Sequence, residues 1–69
     1  MSASDHRRRG VVEEFDAERG LGTIAAGQER FPFHCASIAD GSRRIDVGAE
    51  VSFVVLPKLG RYEATDVGP

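Results

Sequence analysis

Two short stretches of the sequence contain the residue types that could do chemistry. The first, ERGLGTI at residues 18–24, has a basic residue, a glycine, a large residue, a second glycine, another large residue and an aliphatic one. This order is typical of strands that bind nucleic acid. The second, RFPFHC at residues 30–35, adds two phenylalanines and a histidine. Aromatic side chains, on which bases would stack, are nevertheless missing from the first stretch.

The second stretch also contains a cysteine beside a histidine, which raises the question of thiol catalysis. A thiol nucleophile and its base must share a hydrogen bond. Adjacent residues of a strand point to opposite faces, so His34 and Cys35 can meet only if the strand breaks there. We therefore predict no catalytic residues, and we do not expect this protein to be an enzyme.

The sequence gives equally little support to a metal or nucleotide cofactor. A metal site would need His6, His34 and Cys35 to converge with a carboxylate, and their spacing matches no structural zinc motif. The glycines at positions 20 and 22 lack the strand, loop and helix that form a phosphate-binding loop. We expect no metal and no other cofactor.

The length and composition indicate one small soluble domain. A chain of 69 residues has room for a single hydrophobic core. Its 41% hydrophobic and 29% charged residues are typical of a folded globular protein. No apolar run approaches the roughly 20 residues of a membrane span, and no apolar stretch near the start resembles a signal peptide. These features predict a cytoplasmic monomer with no membrane association.

Charge is unevenly distributed along the chain. The net charge is −2, but HRRR at residues 6–9 is basic, whereas EEFDAE at 13–18 contains four acidic residues. We predict that residues 1–8 form a flexible basic N-terminal arm. Its arginines have two open interpretations, either a solvated segment or a contact to the phosphates of a nucleic acid.

Hydrophobic periodicity predicts an all-β protein, because no apolar pattern at helical spacing extends over ten or more residues. Five short antiparallel strands, with a longer connection between the third and the fourth, are typical of a five-stranded OB-fold barrel. Gln28 and its neighbouring glycine form one predicted turn, PKLG at 57–60 forms another, and Ser37 is a possible cap of a short helical turn. The predicted strands are residues 10–16, 19–26, 29–35, 50–56 and 61–67.

Strand alternation separates a core face from an outward face. Phe31 and Phe33 share one face of the third strand, and we predict that both belong to the core. In the second strand, the large residues of RGLGTI lie opposite the two glycines and the isoleucine. The predicted outward set is Leu21, Thr23, Pro32 and His34.

Three motifs, GVVEEFD, RGLGTI and FPFHCASI, resemble the bacterial cold-shock domain over about residues 9–68. The resemblance implies a single OB-fold domain that binds single-stranded RNA or DNA through an outward face. The positions that match the framework of the family are Gly10, Val12, Phe15, Gly20, Gly22, Ile24, His34 and Ile38.

The departures from the family pattern lie on the face that the family uses for binding. Stacking of a base on an aromatic side chain stabilises a complex by about 1–3 kcal/mol, so the loss of three such contacts weakens binding by roughly 3–9 kcal/mol. Two acidic residues on this face would also repel phosphates. The departures are Glu13 for lysine, Glu14 for tryptophan, and Leu21, Thr23, Pro32 and Cys35 for stacking phenylalanines.

Two functions from different classes remain open after this comparison. The first is a nucleic-acid-binding module that binds single-stranded RNA or DNA weakly and is assisted by flanking arginines. The second is a protein-interaction module that uses the same face, which now has acidic and aliphatic side chains. Carried over from the resemblance, the candidate nucleic-acid contacts are Phe15, Arg19, Leu21, Thr23, His34 and Arg61.

Overall fold

The computed structural model describes residues 7–39, 41 and 44–69 of the chain. The described part contains five strands and one short 3-10 helical turn. The strands are β1 (Arg7–Asp16), β2 (Leu21–Ala26), β3 (Glu29–His34), β4 (Glu50–Lys58) and β5 (Arg61–Gly68), and the helical turn is Cys35–Ser37.

All five strands form one antiparallel sheet, in the order β3-β2-β1-β4-β5. The prediction of an all-β protein with five antiparallel strands is therefore confirmed. β3 and β5 are the two edges of the sheet and lie close to each other, but no hydrogen-bonded pairing joins them within the described residues. The sheet is thus open, and the predicted closure into a barrel is not observed. A parallel bridge between Ile38 and Val67 connects the segment after β3 to β5.

β1 begins at Arg7, three positions before the predicted start. Arg7 and Arg8 stand opposite Val54 and Phe53 of β4, so both residues belong to the sheet. The Arg7 guanidinium donates to Asp66 Oδ2 at 2.6 Å and to Ser52 Oγ at 3.1 Å. Of the predicted N-terminal arm, only these two residues are described, and residues 1–6 lie outside the described residues.

The connection between β4 and β5 is a two-residue turn rather than the predicted four-residue turn. Leu59 and Gly60 both have positive φ, at 45° and 85°, which is typical of the tight hairpin turn that matches strand twist. The strands therefore continue to the Lys58–Arg61 pair. β4 accommodates Pro57, because the described pairing of β1 with β4 ends at Val54 and leaves Pro57 no neighbour on that side.

The hydrophobic core lies on the inward face of the sheet. Phe31 and Phe33 are both buried, as alternation predicted, and Phe31 packs against Phe53 with ring centroids 5.4 Å apart. No helix within the described ranges is long and apolar enough to span a membrane. The buried apolar cluster contains Val12, Ile24, Ala26, Phe31, Phe33, Cys35, Ile38, Val51, Phe53, Ala64 and Val67.

Replacement of Phe33 by alanine tests the importance of this core. The Phe33 side chain is only 2% exposed, so the truncation leaves a cavity and should lower the free energy of unfolding by about 3–5 kcal/mol. Leu59→Ala is the matched control, because Leu59 is fully exposed and its truncation should change stability by about 0.5 kcal/mol or less. Urea denaturation followed by circular dichroism measures both. Equal stability of the two variants would contradict the assigned register.

Candidate functional site

Two rows of side chains cross the outward face of β1, β2 and β3. In the first row, Glu14 stands opposite Thr23, and Thr23 stands opposite Pro32. A bulge between Val12 and Glu14 sets this register, because the extra residue turns Glu14 to the same side as Thr23. Three of the positions where the resemblance implies aromatic residues therefore lie side by side.

The second row lies two residues along each strand. Asp16 stands opposite Leu21, and Leu21 stands opposite His34. Leu21 is 49% exposed, which is a large fraction for an aliphatic side chain in the middle of a row. The predicted outward orientation of Leu21 and His34 is confirmed by their exposure.

Between these rows, a third row lies on the inward side. Phe15 stands opposite Gly22, and Gly22 stands opposite Phe33. The rings of Phe15 and Phe33 stack across the glycine, with centroids 6.0 Å apart and planes 11° from parallel. Phe15 is half-buried and packs against the core, so only part of its ring is available to a ligand.

The turn between β1 and β2 positions Arg19. Asp16 Oδ1 accepts hydrogen bonds from the backbone amides of Glu18 and Arg19, at 3.0 and 3.3 Å. Gly20 then adopts a φ of +68°, which favours glycine, and donates its amide to Asp16 O at 2.8 Å. These bonds hold the backbone of the turn, and the exposed Arg19 side chain lies with its Nε 3.8 Å from Asp16 Oδ2 in the second row.

The β4–β5 hairpin forms the opposite wall of an open groove of about 770 Å³, which we call the main groove. All six residues that the sequence predicted as nucleic-acid contacts line it, from β1, β2, β3, the β1–β2 turn and β5. The full lining is Glu14, Phe15, Asp16, Arg19, Leu21, Gly22, Thr23, Pro32, Phe33, His34, Lys58, Arg61 and Glu63.

The main groove has charges of both signs. Its three cationic side chains are Arg19, Lys58 and Arg61, and its three carboxylates are Glu14, Asp16 and Glu63. The mixture contrasts with the basic stripe of a nonspecific nucleic-acid binder. The groove can therefore contact a polyanion at some points and repel it at others.

Glu13, which the resemblance places on the binding face, lies outside the main groove. Its carboxylate accepts two hydrogen bonds from Arg30, from Nε at 2.8 Å and from Nη2 at 3.1 Å. The hydrogen bonds and charge of Glu13 raise the pKa of the Arg30 guanidinium above its usual value. Neither Glu13 nor Arg30 is therefore an unpaired charge beside the main groove.

The resemblance also places Cys35 at a stacking position of the family, but in this structure the Cys35 side chain is buried rather than on the outward face. β3 ends at His34, and Cys35 begins the 3-10 turn with its side chain buried beneath Gly20. The strand does break at this point, and Cys35 Sγ lies 3.8 Å from His34 Nδ1. His34, rather than the predicted Ser37, caps the turn, because its Nδ1 accepts the amide of Ala36 at 3.0 Å. That bond occupies the nitrogen lone pair that would activate the thiol.

Sequence reasoning did not single out Asp16, Glu63 or Tyr62, which lie beside these positions. Glu63 lies in the main groove, and strand alternation was a sufficient signal, because residues 61 and 63 share one face of β5. Tyr62 is 60% exposed and lines a neighbouring depression of about 430 Å³ together with Pro32 and Arg61. The sequence indicated this position of Tyr62 less clearly, because a single tyrosine in a strand is equally typical of a core residue.

Comparison with known proteins does not assign the chain to a family. No family model matches the chain, and no match was found among curated proteins. Across residues 7–39, 41 and 44–69, no three side chains of the ligand types His, Cys, Asp and Glu are grouped so that they could hold a metal ion. The case for function therefore depends on the main groove itself.

Substitution of Gly22 by alanine tests the packing between the two outward rows. A Cβ at this position would lie 2.5 Å from Phe33 Cζ and 2.9 Å from Glu14 O, so the ring must move. We expect a loss of about 1–3 kcal/mol in unfolding free energy. Gly68→Ala is the control, since its Cβ would meet only Ala39 Cβ, at 3.6 Å. Thermal unfolding compares the two, and an unchanged Gly22→Ala variant would contradict the stacking across this glycine.

Proposed function

We propose that this protein is an OB-type module that binds single-stranded RNA or DNA weakly in the main groove. The observation that supports this most strongly is the convergence of all six predicted contact residues on one open groove. These residues come from β1, the β1–β2 turn, β2, β3 and β5, and sequence proximity does not account for the approach of Arg61 to the others. In this proposal the protein acts as a cytoplasmic monomer, without catalytic residues or a cofactor.

The OB-type assignment is part of the proposal. Its support is the strand order β3-β2-β1-β4-β5, because one added pairing between β3 and β5 would close this sheet into a five-stranded barrel. The two edge strands already approach each other. Pro32 lies on the β3 edge and has no amide hydrogen to donate, which is consistent with an incomplete closure there.

The groove offers a nucleic acid three kinds of contact. Leu21 presents an apolar surface to a base, and His34 presents a planar ring in the same row. Arg61 and Arg19 supply positive charge for phosphates. Because the aromatic area is small, charge must supply a larger share of the affinity than in a binder with a full stacking platform.

The charge balance of the groove favours a second candidate, a protein-interaction module on the same face. Three carboxylates and three cationic groups line the groove together with exposed Leu21 and Pro32. Mixed charge around an apolar centre is typical of the polar margin and apolar core of protein interfaces. A protein partner would use Glu14 and Asp16 as contacts, whereas a nucleic acid would be repelled by them.

An NMR titration with short oligothymidine and oligouridine at low salt discriminates between these two functions. We expect amide shifts to cluster on β1, β2, β3 and the start of β5, with a dissociation constant of roughly micromolar to millimolar. The affinity should fall steeply with salt, because phosphate contacts release counterions. Absence of shifts in the groove would favour the protein-interaction function, and salt-insensitive nanomolar binding would contradict the weak electrostatic mode.

Restoration of aromatic residues in the first row is a stronger test of the same proposal. Glu14→Trp, Thr23→Phe and Pro32→Phe together place three rings side by side, and each should add about 1–3 kcal/mol of base stacking. Affinity for oligothymidine should rise by roughly two orders of magnitude or more, after allowance for imperfect additivity.

The control for this triple variant is Val11→Trp, which adds an aromatic ring to an exposed position of β1 outside the main groove. Fluorescence titration should detect no comparable gain for the control. A folded triple variant that binds no better than the parent would mean that the outward rows are not the binding face.

A further inference from the structure

The three cationic side chains of the main groove are not equally available to a ligand. Lys58 Nζ lies 3.7 Å from Glu63 Oε1, and Arg19 Nε lies 3.8 Å from Asp16 Oδ2. For Arg61, no ion pair is present within the part of the chain that the structure describes. Arg61 is therefore the cationic group that a phosphate can approach without displacing another anion.

Glu63 and Asp16, which pair with Lys58 and Arg19, also line the main groove. A bound phosphate and the carboxylate would thus compete for the same ammonium or guanidinium group. Exposed ion pairs at such distances are weak, so a phosphate can displace the carboxylate at a small free-energy cost. The two carboxylates reduce affinity without blocking the groove.

We propose that Glu63 and Asp16 are built-in competing anions that regulate polyanion binding in the main groove. Arg61 then makes the first phosphate contact, and Lys58 contacts a phosphate only after it separates from Glu63. This inference rests on the proposed function, and it adds an assignment of roles to the charged groups of the groove.

Glu63 is the better of the two carboxylates to test. Asp16 also accepts the amides of Glu18 and Arg19, so its replacement would alter the β1–β2 turn as well as the charge. For Glu63, the contact in the described structure is the ion pair with Lys58. Glu63→Gln removes the charge and keeps the size of the side chain.

The experiment measures the affinity for oligothymidine as a function of salt for the parent and for Glu63→Gln. Each additional phosphate contact to a single strand steepens the dependence of log affinity on log salt by about 0.7. We expect Glu63→Gln to raise the low-salt affinity by about threefold to tenfold and to steepen this slope by about 0.7, as Lys58 is released to the ligand.

Glu50→Gln is the matched control, because it removes the same charge from an exposed position at the start of β4, outside the main groove. Its slope should equal that of the parent. Lys58→Gln is the second variant: alone it should change the slope of the parent less than it changes the slope of Glu63→Gln, and in the double variant it should cancel the steeper slope of Glu63→Gln.

Three outcomes are informative. Equal slopes for Glu63→Gln and Glu50→Gln, with binding still mapped to the groove by amide shifts, would overturn the competing-anion role and leave the proposed function intact. A steeper slope that persists in the double variant would also overturn it, since Lys58 would not be the released group. If oligothymidine shifts no amide signals of groove residues in the parent or in any variant, the proposed function itself is overturned.

Discussion

The stacking of Phe33 on Phe15 across Gly22 is the contact on which the arrangement of the main groove depends. It joins β1, β2 and β3 through one row of side chains, and only a glycine leaves room for it, since a Cβ would lie 2.5 Å from the Phe33 ring. Phe33 is buried and yet forms part of the groove floor. Core packing and the position of the outward rows are thus set by the same contact.

The bulge in β1 also determines which side chains line the main groove. Strict alternation from buried Val12 would turn Phe15 outward and Glu14 inward. The extra residue reverses both, so that Glu14 lines the groove beside Thr23 and Phe15 packs on the core. Phe15 therefore contributes to core packing, and only part of its ring remains exposed to a ligand.

Electrostatics in the main groove follows from local pairing rather than from the net charge of the chain. The acidic segment at residues 13–18 is divided by the fold, because Glu13 pairs with Arg30 outside the groove and Asp16 with Arg19 inside it. The hairpin contributes Lys58 and Glu63 as a second internal pair. A net charge of −2 therefore says little about the main groove, where Arg61 has no ion pair in the described structure.

The sequence by itself determined the all-β class, the five antiparallel strands and the inward orientation of Phe31 and Phe33. These features depend on alternation and turn chemistry, which are local properties of the chain. The six positions that line one groove came from the family resemblance, whereas alternation by itself predicts only that neighbours such as Leu21 and Thr23 share one strand face.

Only the tertiary structure decided the bulge at Glu13, the two-residue turn at Leu59 and the burial of Cys35. It alone placed Arg7 and Arg8 in the sheet, because their partners, Asp66 and Glu29, are far away in the sequence. The open edge between β3 and β5 and the ion pair between Glu13 of β1 and Arg30 of β3 have the same origin. Each depends on which strands become neighbours, and pairing between distant segments is not encoded in any local pattern.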